Sequence, residues 1–304
     1  MHNLTSLVLN WHLTETCNYR CRYCYATWEA STRHRELIRD PEHTAALLRE
    51  LYRFFGPDNR LNPLTKRLSW NAVRLNLAGG EPTLHPGILL SVANQARGQG
   101  FEVSLISNGS LLNAALMKHI APLLNWLGIS IDSAIVATNV EIGRVDRCGR
   151  LIDLDELGRS LEMARQSNPG LRIKLNTVVN RLNHAEDLSS LIRYLSPEKW
   201  KALRMLPVVN EHLTVTDEQF ATFIARHKSF AGILRAENHQ DMQESYIMID
   251  PSGRFFQNSP IAGQGYAYSQ PILEVGADAA FAQVHFAYER FSSRYALDVG
   301  GEAV

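Results

Sequence analysis

The 304-residue chain has no net charge, since 31 Lys and Arg are offset by 31 Asp and Glu. An even balance offers no electrostatic surface to a nucleic-acid backbone or an anionic membrane, although local basic clusters can still take a small anion. Long hydrophobic runs are missing too, and no window approaches the ~18 apolar residues of a membrane span. The N-terminus, MHNLTSLVLNWHLTETC, has no basic segment and too short an apolar stretch for a signal peptide. Cysteine is scarce, four in all, with three of them between positions 17 and 24. That distribution excludes the disulfide framework of a small secreted protein. These absences point to a reducing, cytoplasmic compartment with no nucleic-acid or membrane partner. What is present, 45% hydrophobic and 20% charged residues, suffices for an ordinary buried core.

Short apolar-alternating runs trade places with helical patterns along the first two thirds of the chain. Strands are expected at Leu7–Thr14, Ala72–Ala78, Glu102–Ser107, Leu127–Asp132, Arg172–Val179 and Ala202–Pro207. Helices are expected at Asp40–Phe55, Pro86–Arg97, Leu112–Leu124, Leu154–Arg165 and Ala185–Leu195. The first has Asp40 as cap, Pro41 in the first turn, Gly56 as stop, and one apolar face of Ala45, Leu48, Leu51, Tyr52 and Phe55. Strands alternating with helices predict an α/β fold, a parallel (β/α)6 sheet curved into a partial or full barrel. After Pro207 the rhythm changes to a capping box at Thr216 and Gln219, a hairpin SYIMID-PSG-RFFQN, and a last helix near Ala277–Phe291. The basic run around His227 and Lys228 reads as a solvated helix face, and Pro57–Lys66 as a surface loop. The division expected is 1–207 for the barrel and 208–304 for an extension covering its open end.

Polar residues alternate with the apolar ones in three strands. Asn10 and His12 lie between Leu9, Trp11 and Leu13. Arg74, Asn76 and Ala78 alternate with Val73, Leu75 and Leu77, and Lys174 and Asn176 with Ile173 and Leu175. In a barrel this second face lines the lumen, and a polar, partly cationic lining suits an anionic ligand. On an open sheet the same face would meet solvent.

The stretch TETCNYRCRYCYATW holds Cys17, Cys21 and Cys24 in the spacing C-x3-C-x2-C. A structural zinc site closes with four ligands and would need His12 or His34 as well. Three thiolates suit a [4Fe–4S] cluster whose fourth iron stays open to a ligand. The fourth cysteine, Cys148 in GRVDRCGR, reads as an incidental thiol. A second motif, Gly79-Gly80-Glu81-Pro82, follows the second strand, where alone it would read as a turn.

The cysteine motif, with Tyr23 ahead of its third thiol, and the GGEP segment together resemble the radical S-adenosylmethionine (SAM) superfamily. The resemblance implies that Cys17, Cys21 and Cys24 hold a [4Fe–4S] cluster. Gly79, Gly80 and Glu81 would bind the amino group of SAM, and Ser107, Asn108 and Ser130 would lie against its ribose, with Tyr23 beside the cofactor. In that superfamily an electron from the reduced cluster splits SAM to a 5′-deoxyadenosyl radical, which the protein aims. An auxiliary cysteine cluster, common among peptide-modifying members, is excluded because only Cys148 remains.

A finer resemblance is to the viperin family and its prokaryotic relatives. It rests on NWHLTETCNYRCRYCY, LNLAGGEPTL, SLISNGSLL, ISIDS, Ile142–Arg144, IKLNTVVNRLN, LSPEKWK, SYIMID and Ile272–Gly276, in the family's order from about Leu7 onwards. It implies dehydration of a ribonucleoside triphosphate, CTP foremost with UTP or GTP as alternatives, to a 3′-deoxy-3′,4′-didehydro chain terminator used in antiviral defence. Asn10 would position the substrate, with Asn176 nearby, and Arg74, Arg144, Lys174, Lys199 and Lys201 would hold the triphosphate. Tyr246 would act late in the reaction, giving a hydrogen atom or a proton, and a one-electron reductant protein would be the partner. Arg74 and Ala78 replace a lysine and a serine of vertebrate viperins, and the vertebrate membrane helix has no counterpart ahead of the motif. A radical SAM enzyme for another phosphorylated small molecule or a peptide is the alternative. So is an interaction protein with a structural metal site.

Overall fold

The computed structural model describes residues 2–26, 36–208, 211–258 and 265–299, with side chains to residue 293. The strands are β1 (His2–His12), β2 (Leu68–Ala78), β3 (Glu102–Ser107), β4 (Trp126–Ser130), β5 (Arg172–Val179), β6 (Lys199–Arg204) and β7 (Leu234–Glu237). They lie in chain order and pair in parallel throughout. Seven helices connect or follow them: α1 (Pro41–Phe55), α2 (Pro86–Gln99), α3 (Ala114–Ile120), α4 (Val136–Ile142), α5 (Leu154–Ser167), α6 (Ser189–Leu195) and α7 (Asp217–Arg226). The six expected strands are present; β1, β2, β4 and β6 begin earlier than expected, while β1, β4 and β6 end two or three residues sooner. β7 is a seventh that the patterning did not mark, because only four residues, LRAE, carry it.

The apolar strand face is the core. Leu9 and Trp11 of β1, Val73, Leu75 and Leu77 of β2, Val103 and Leu105 of β3, Leu127 and Ile129 of β4, and Ile173 of β5 are fully buried. Each such side chain stabilises the fold by about 1.5–3 kcal/mol. α1 starts where expected, with the Asp40 carboxylate accepting from the Glu42 and His43 amides. Its buried face is Leu47, Leu48, Leu51, Phe54 and Phe55, turned slightly from the one expected, with Ala45 and Tyr52 at its margin.

Beyond β7 the chain crosses to the other edge of the sheet. β8 (Ile247–Ile249) pairs in parallel with β1, and β9 (Arg254–Asn258) and β10 (Tyr266–Pro271) continue antiparallel. The resulting order is β10-β9-β8-β1-β2-β3-β4-β5-β6-β7, an open sheet. β7 and β8 are therefore seven strand spacings apart along the sheet, about 34 Å if it were flat. Yet the Tyr246 hydroxyl, one residue before β8, donates to the Glu237 carboxylate at the end of β7. Only a strongly curved sheet brings those two strands together, so the sheet approaches a barrel without closing into one.

Two expectations need correction. The last helix is broken into Ala277–Phe281 and Tyr288–Val299. Val284 and Phe286, two apart, turn into the core between the two helices, a spacing no single helical face accommodates. His227 is buried rather than solvated: its Nδ1 faces the Phe223 carbonyl at 2.8 Å and its Nε2 accepts from the Leu188 amide at 2.9 Å. The Thr216–Gln219 capping box is present as expected. Among the described residues no helix is long and apolar enough to cross a membrane.

Candidate active site

The loop after β1 carries the three clustered thiols, and neighbouring strand ends hold it. The Glu81 amide donates to the Thr16 carbonyl at 2.8 Å, and the Arg20 and Arg22 amides donate to Gly143 and Ile142 at 3.0 and 2.9 Å. Gly80 cannot carry a side chain here, since its φ is +20° and a Cβ would stand 2.2 Å from the Thr16 carbonyl oxygen. The GGEP turn thus packs directly under the cysteine loop. Glu81 is fully buried and spends its carboxylate on the turn. It accepts from the Thr83 amide and hydroxyl, from the Ser107 hydroxyl at 2.8 Å and from the Asn108 amide at 2.6 Å. Burial pushes its pKa up against those four hydrogen bonds. Gly79, Gly80 and Glu81 therefore present backbone, while Ser107 and Asn108 are tied to them. The Asn108 side-chain amide donates to Asn18 at 2.8 Å and reaches the Cys17 sulfur at 3.9 Å.

Arg144 does not join the other basic residues. Its guanidinium donates to the buried Asp132 at 3.2 Å, to the Tyr23 hydroxyl at 3.1 Å and to the Ser130 carbonyl. Tyr23 in turn donates to Asp132. Of the residues expected at the triphosphate, Arg144 is the one that lies beside the cysteine loop, on Asp132, Tyr23 and Ser130. The residue is a buried brace between the end of β4 and the cysteine loop.

The polar strand face gathers the rest. Arg74 pairs with Glu102 at 3.0 Å and donates to Ser6 at 3.1 Å. The Trp126 ring lies beneath three cations, Lys199 at 5.4 Å, Arg172 at 5.6 Å and Arg74 at 5.9 Å. Lys174 stands in register with Gly128 on one side and Lys199 on the other. A Cβ at Gly128 would come within 3.1 Å of the Lys174 chain, so that glycine makes room for the lysine. Burial, then the charges of Lys201, Lys199 and Arg74, push the Lys174 ammonium down to about 7. Asn10 is fixed by Asn76, whose amide donates to it at 2.8 Å and which accepts from Ser104 at 2.9 Å. Asn176 lies in register between Ser130 and Lys201. Lys201 pairs with Glu237, and Tyr246 donates to the same carboxylate.

A family model described as the radical SAM superfamily matches residues 11–195. A curated protein of Pseudoalteromonas ulvae, named an S-adenosylmethionine-dependent nucleotide dehydratase, is 40% identical over 97% of this chain and 94% of its own length. One of Psychrobacter lutiphocae with the same name is 41% identical over 95% of this chain and 94% of its own. The chain belongs to the S-adenosylmethionine-dependent nucleotide dehydratases of the radical SAM superfamily. The superfamily fold is also seen in the solved structure of native anSMEcpe with bound AdoMet, at a TM-score of 0.62 and 13% identity, covering 98% of this chain and 84% of that one.

Membership brings the superfamily's two cofactors, a [4Fe–4S] cluster and SAM, to this nucleotide dehydratase. The residues present fit them. N–H groups point at two of the sulfurs, from Tyr19 to Cys17 at 3.4 Å and from Ala26 to Cys24, the kind of contact that tunes a cluster's thiolate ligands. Burial pushes all three thiols up, Cys21 to about 12, so a bound cation is needed to hold them as thiolates. Among the described residues no three His, Cys, Asp or Glu side chains converge as ligands of a single ion do. A cubane cluster takes each sulfur on a different iron and needs no such convergence. His12, the zinc alternative's fourth ligand, is buried, packs its ring on Tyr25 and Phe256, and has its pKa pushed down to about 3. His34 lies outside the described residues. Cys148 is exposed.

In this nucleotide dehydratase the sequence reading missed Asp132, Glu102, Gly128, Trp126 and Glu237. Asp132 sat inside the quoted ISIDS stretch, but nothing local distinguishes a buried counter-ion from a strand-end aspartate. Glu237 had no signal at all, being a lone carboxylate on an unmarked strand.

Proposed function

We propose that this enzyme dehydrates a ribonucleoside triphosphate to its 3′-deoxy-3′,4′-didehydro analogue, a polymerase chain terminator serving antiviral defence. CTP is the nucleotide the family resemblance favours, with UTP and GTP next. The observation that carries the reading is the gathering of Arg74, Lys174, Lys199 and Lys201 on the polar strand face, close enough for three of them to depress the fourth. A triphosphate bears several negative charges, and Lys with forked Arg donors neutralise it by charge-assisted hydrogen bonds.

When bound by Cys17, Cys21, Cys24 and the Gly79–Glu81 backbone, the cluster and SAM supply a hydrogen-abstracting 5′-deoxyadenosyl radical. Ser107, Asn108 and Ser130 line the cofactor side, with the Tyr23 ring beside them. The four cations hold the triphosphate, and the Asn10–Asn76–Ser104 chain fixes the amide that orients the ribose, with Asn176 next to it. The ribose, stripped of its C4′ hydrogen, sheds the 3′-hydroxyl, which takes a proton from solvent and leaves as water, and the radical cation that remains takes up one electron. Tyr246 stands at the lysine end of the face, where it serves that last step. A one-electron reductant protein in the reducing cytoplasm feeds the enzyme, and residues 208–304 cover the site.

The test is anaerobic reconstitution followed by incubation with each of the four ribonucleoside triphosphates. 5′-Deoxyadenosine is expected to rise with one of them, accompanied by a nucleotide lighter by one water. SAM cleavage that no nucleotide stimulates would point to a different substrate.

A further inference from the structure

Two carboxylates intrude on the basic face. Glu102 is partly exposed beside Arg74, but Glu237 is buried at the end of β7, with one oxygen on Lys201 and the other on Tyr246. A buried anion among groups that bind a triphosphate repels the substrate, so as a mere ion pair it works against binding. Its position makes sense if its charge is used once the nucleotide has arrived.

We propose that Glu237 is a positioning residue for the dehydration, the proton acceptor of Tyr246, held in check by Lys201 until a triphosphate draws that lysine away. The proposal rests on the dehydratase reading above and deepens it. The ribose that has lost its C4′ hydrogen and 3′-hydroxyl is a radical cation. One electron passes to it from the Tyr246 phenol and completes the C3′–C4′ double bond. The phenol O–H bond breaks as the electron leaves, and its proton joins Glu237 along the existing hydrogen bond. The sugar is reduced and the tyrosine oxidised to a neutral phenoxyl. The one-electron reductant protein returns one electron to the phenoxyl, which takes its proton back from Glu237. Lys174 and Lys201 face the carboxylate from β5 and β6. With Lys201 turned to phosphate, more of the carboxylate's charge falls on the phenol.

Glu237→Gln keeps the size and a hydrogen-bond acceptor for Lys201 but cannot take the proton. With the favoured nucleotide, substrate-dependent 5′-deoxyadenosine should persist while dehydrated nucleotide per 5′-deoxyadenosine drops on the order of 10²-fold. Tyr246→Phe should show the same split, and Glu237→Asp should partly restore the ratio. Calorimetry on the metal-free protein adds a readout independent of turnover. There the Gln variant should bind the triphosphate as tightly as wild type, or tighter by roughly tenfold. A wild-type product ratio in the Gln variant overturns the proposal, as does a loss of affinity equal to the loss of product, the mark of a packing ion pair. So does a wild-type ratio in Tyr246→Phe alone. Failure of the wild type to dehydrate any nucleotide overturns the underlying reading and shows without a variant.

Discussion

At the scale of single residues, Lys174 is a group on the polar strand face whose behaviour departs far from its free form. Its ammonium is held down to about 7, first by burial and then by three neighbouring cations. A bound triphosphate favours the charged form. Below pH 7 the free protein already carries the proton, and above it nucleotide binding must take one up. Affinity should therefore fall as pH rises through 7, by up to about tenfold per unit until the bound lysine's own pKa is reached. The γ-phosphate loses its last proton nearby and pulls the other way, so the comparison is with Lys174→Arg, which keeps that contribution and loses the lysine's. Calorimetry in two buffers at about pH 8 should show proton uptake in the wild type alone. Matching pH profiles for the two proteins would take Lys174 off the triphosphate. The lysine itself was legible in the sequence because IKLN alternates, and alternation puts Lys174 and Asn176 on one face. Gly128, which makes its space, was not, because a glycine in a strand announces no particular neighbour.

At the scale of elements, the cysteine loop depends on a bond between the end of β4 and the turn after α4. Arg144 and Asp132 are both nearly inaccessible to water, so neither charge is tolerable without the other. Asp132→Asn should destabilise the protein by about 3–5 kcal/mol in chemical denaturation. Asp132→Asn with Arg144→Met should cost much less than the two single changes summed, because the second removes the stranded charge. Additive losses would show that the pair is not coupled. Strands with clean alternation and helices with Asp or Thr caps were readable, as β2, β5, α1 and α7 show. β7 and α4 were not, because four and seven residues are too few for a period to register. The pairing of Arg144 with Asp132 was unreadable for a related reason: a motif gives a residue's neighbours in sequence but not the direction its side chain takes.

At the scale of the whole molecule, residues beyond 207 complete the same sheet rather than sit apart from it. Phe281 packs its ring against Phe55 of α1 at 5.4 Å and Phe255 of β9 at 5.3 Å, which locks the C-terminal strands onto the first helix. Phe281→Ala should cost about 3–5 kcal/mol. It should also speed hydrogen exchange in β8, β9 and α1 together while thermal unfolding stays a single transition. A separate early transition for the C-terminal part would mean the two regions fold independently. The curvature that brings β7 to β8 leaves a seam where, among the described residues, no backbone ladder runs and side chains such as Glu237 and Tyr246 meet. A ladder yields only when whole strands separate, whereas a side-chain bond yields to one torsional turn. This wall therefore has a line along which it can part without unzipping the sheet, and that line runs beside the lysines. Admitting a bulky, highly charged guest and keeping the fold intact are, in this protein, mechanically separate problems.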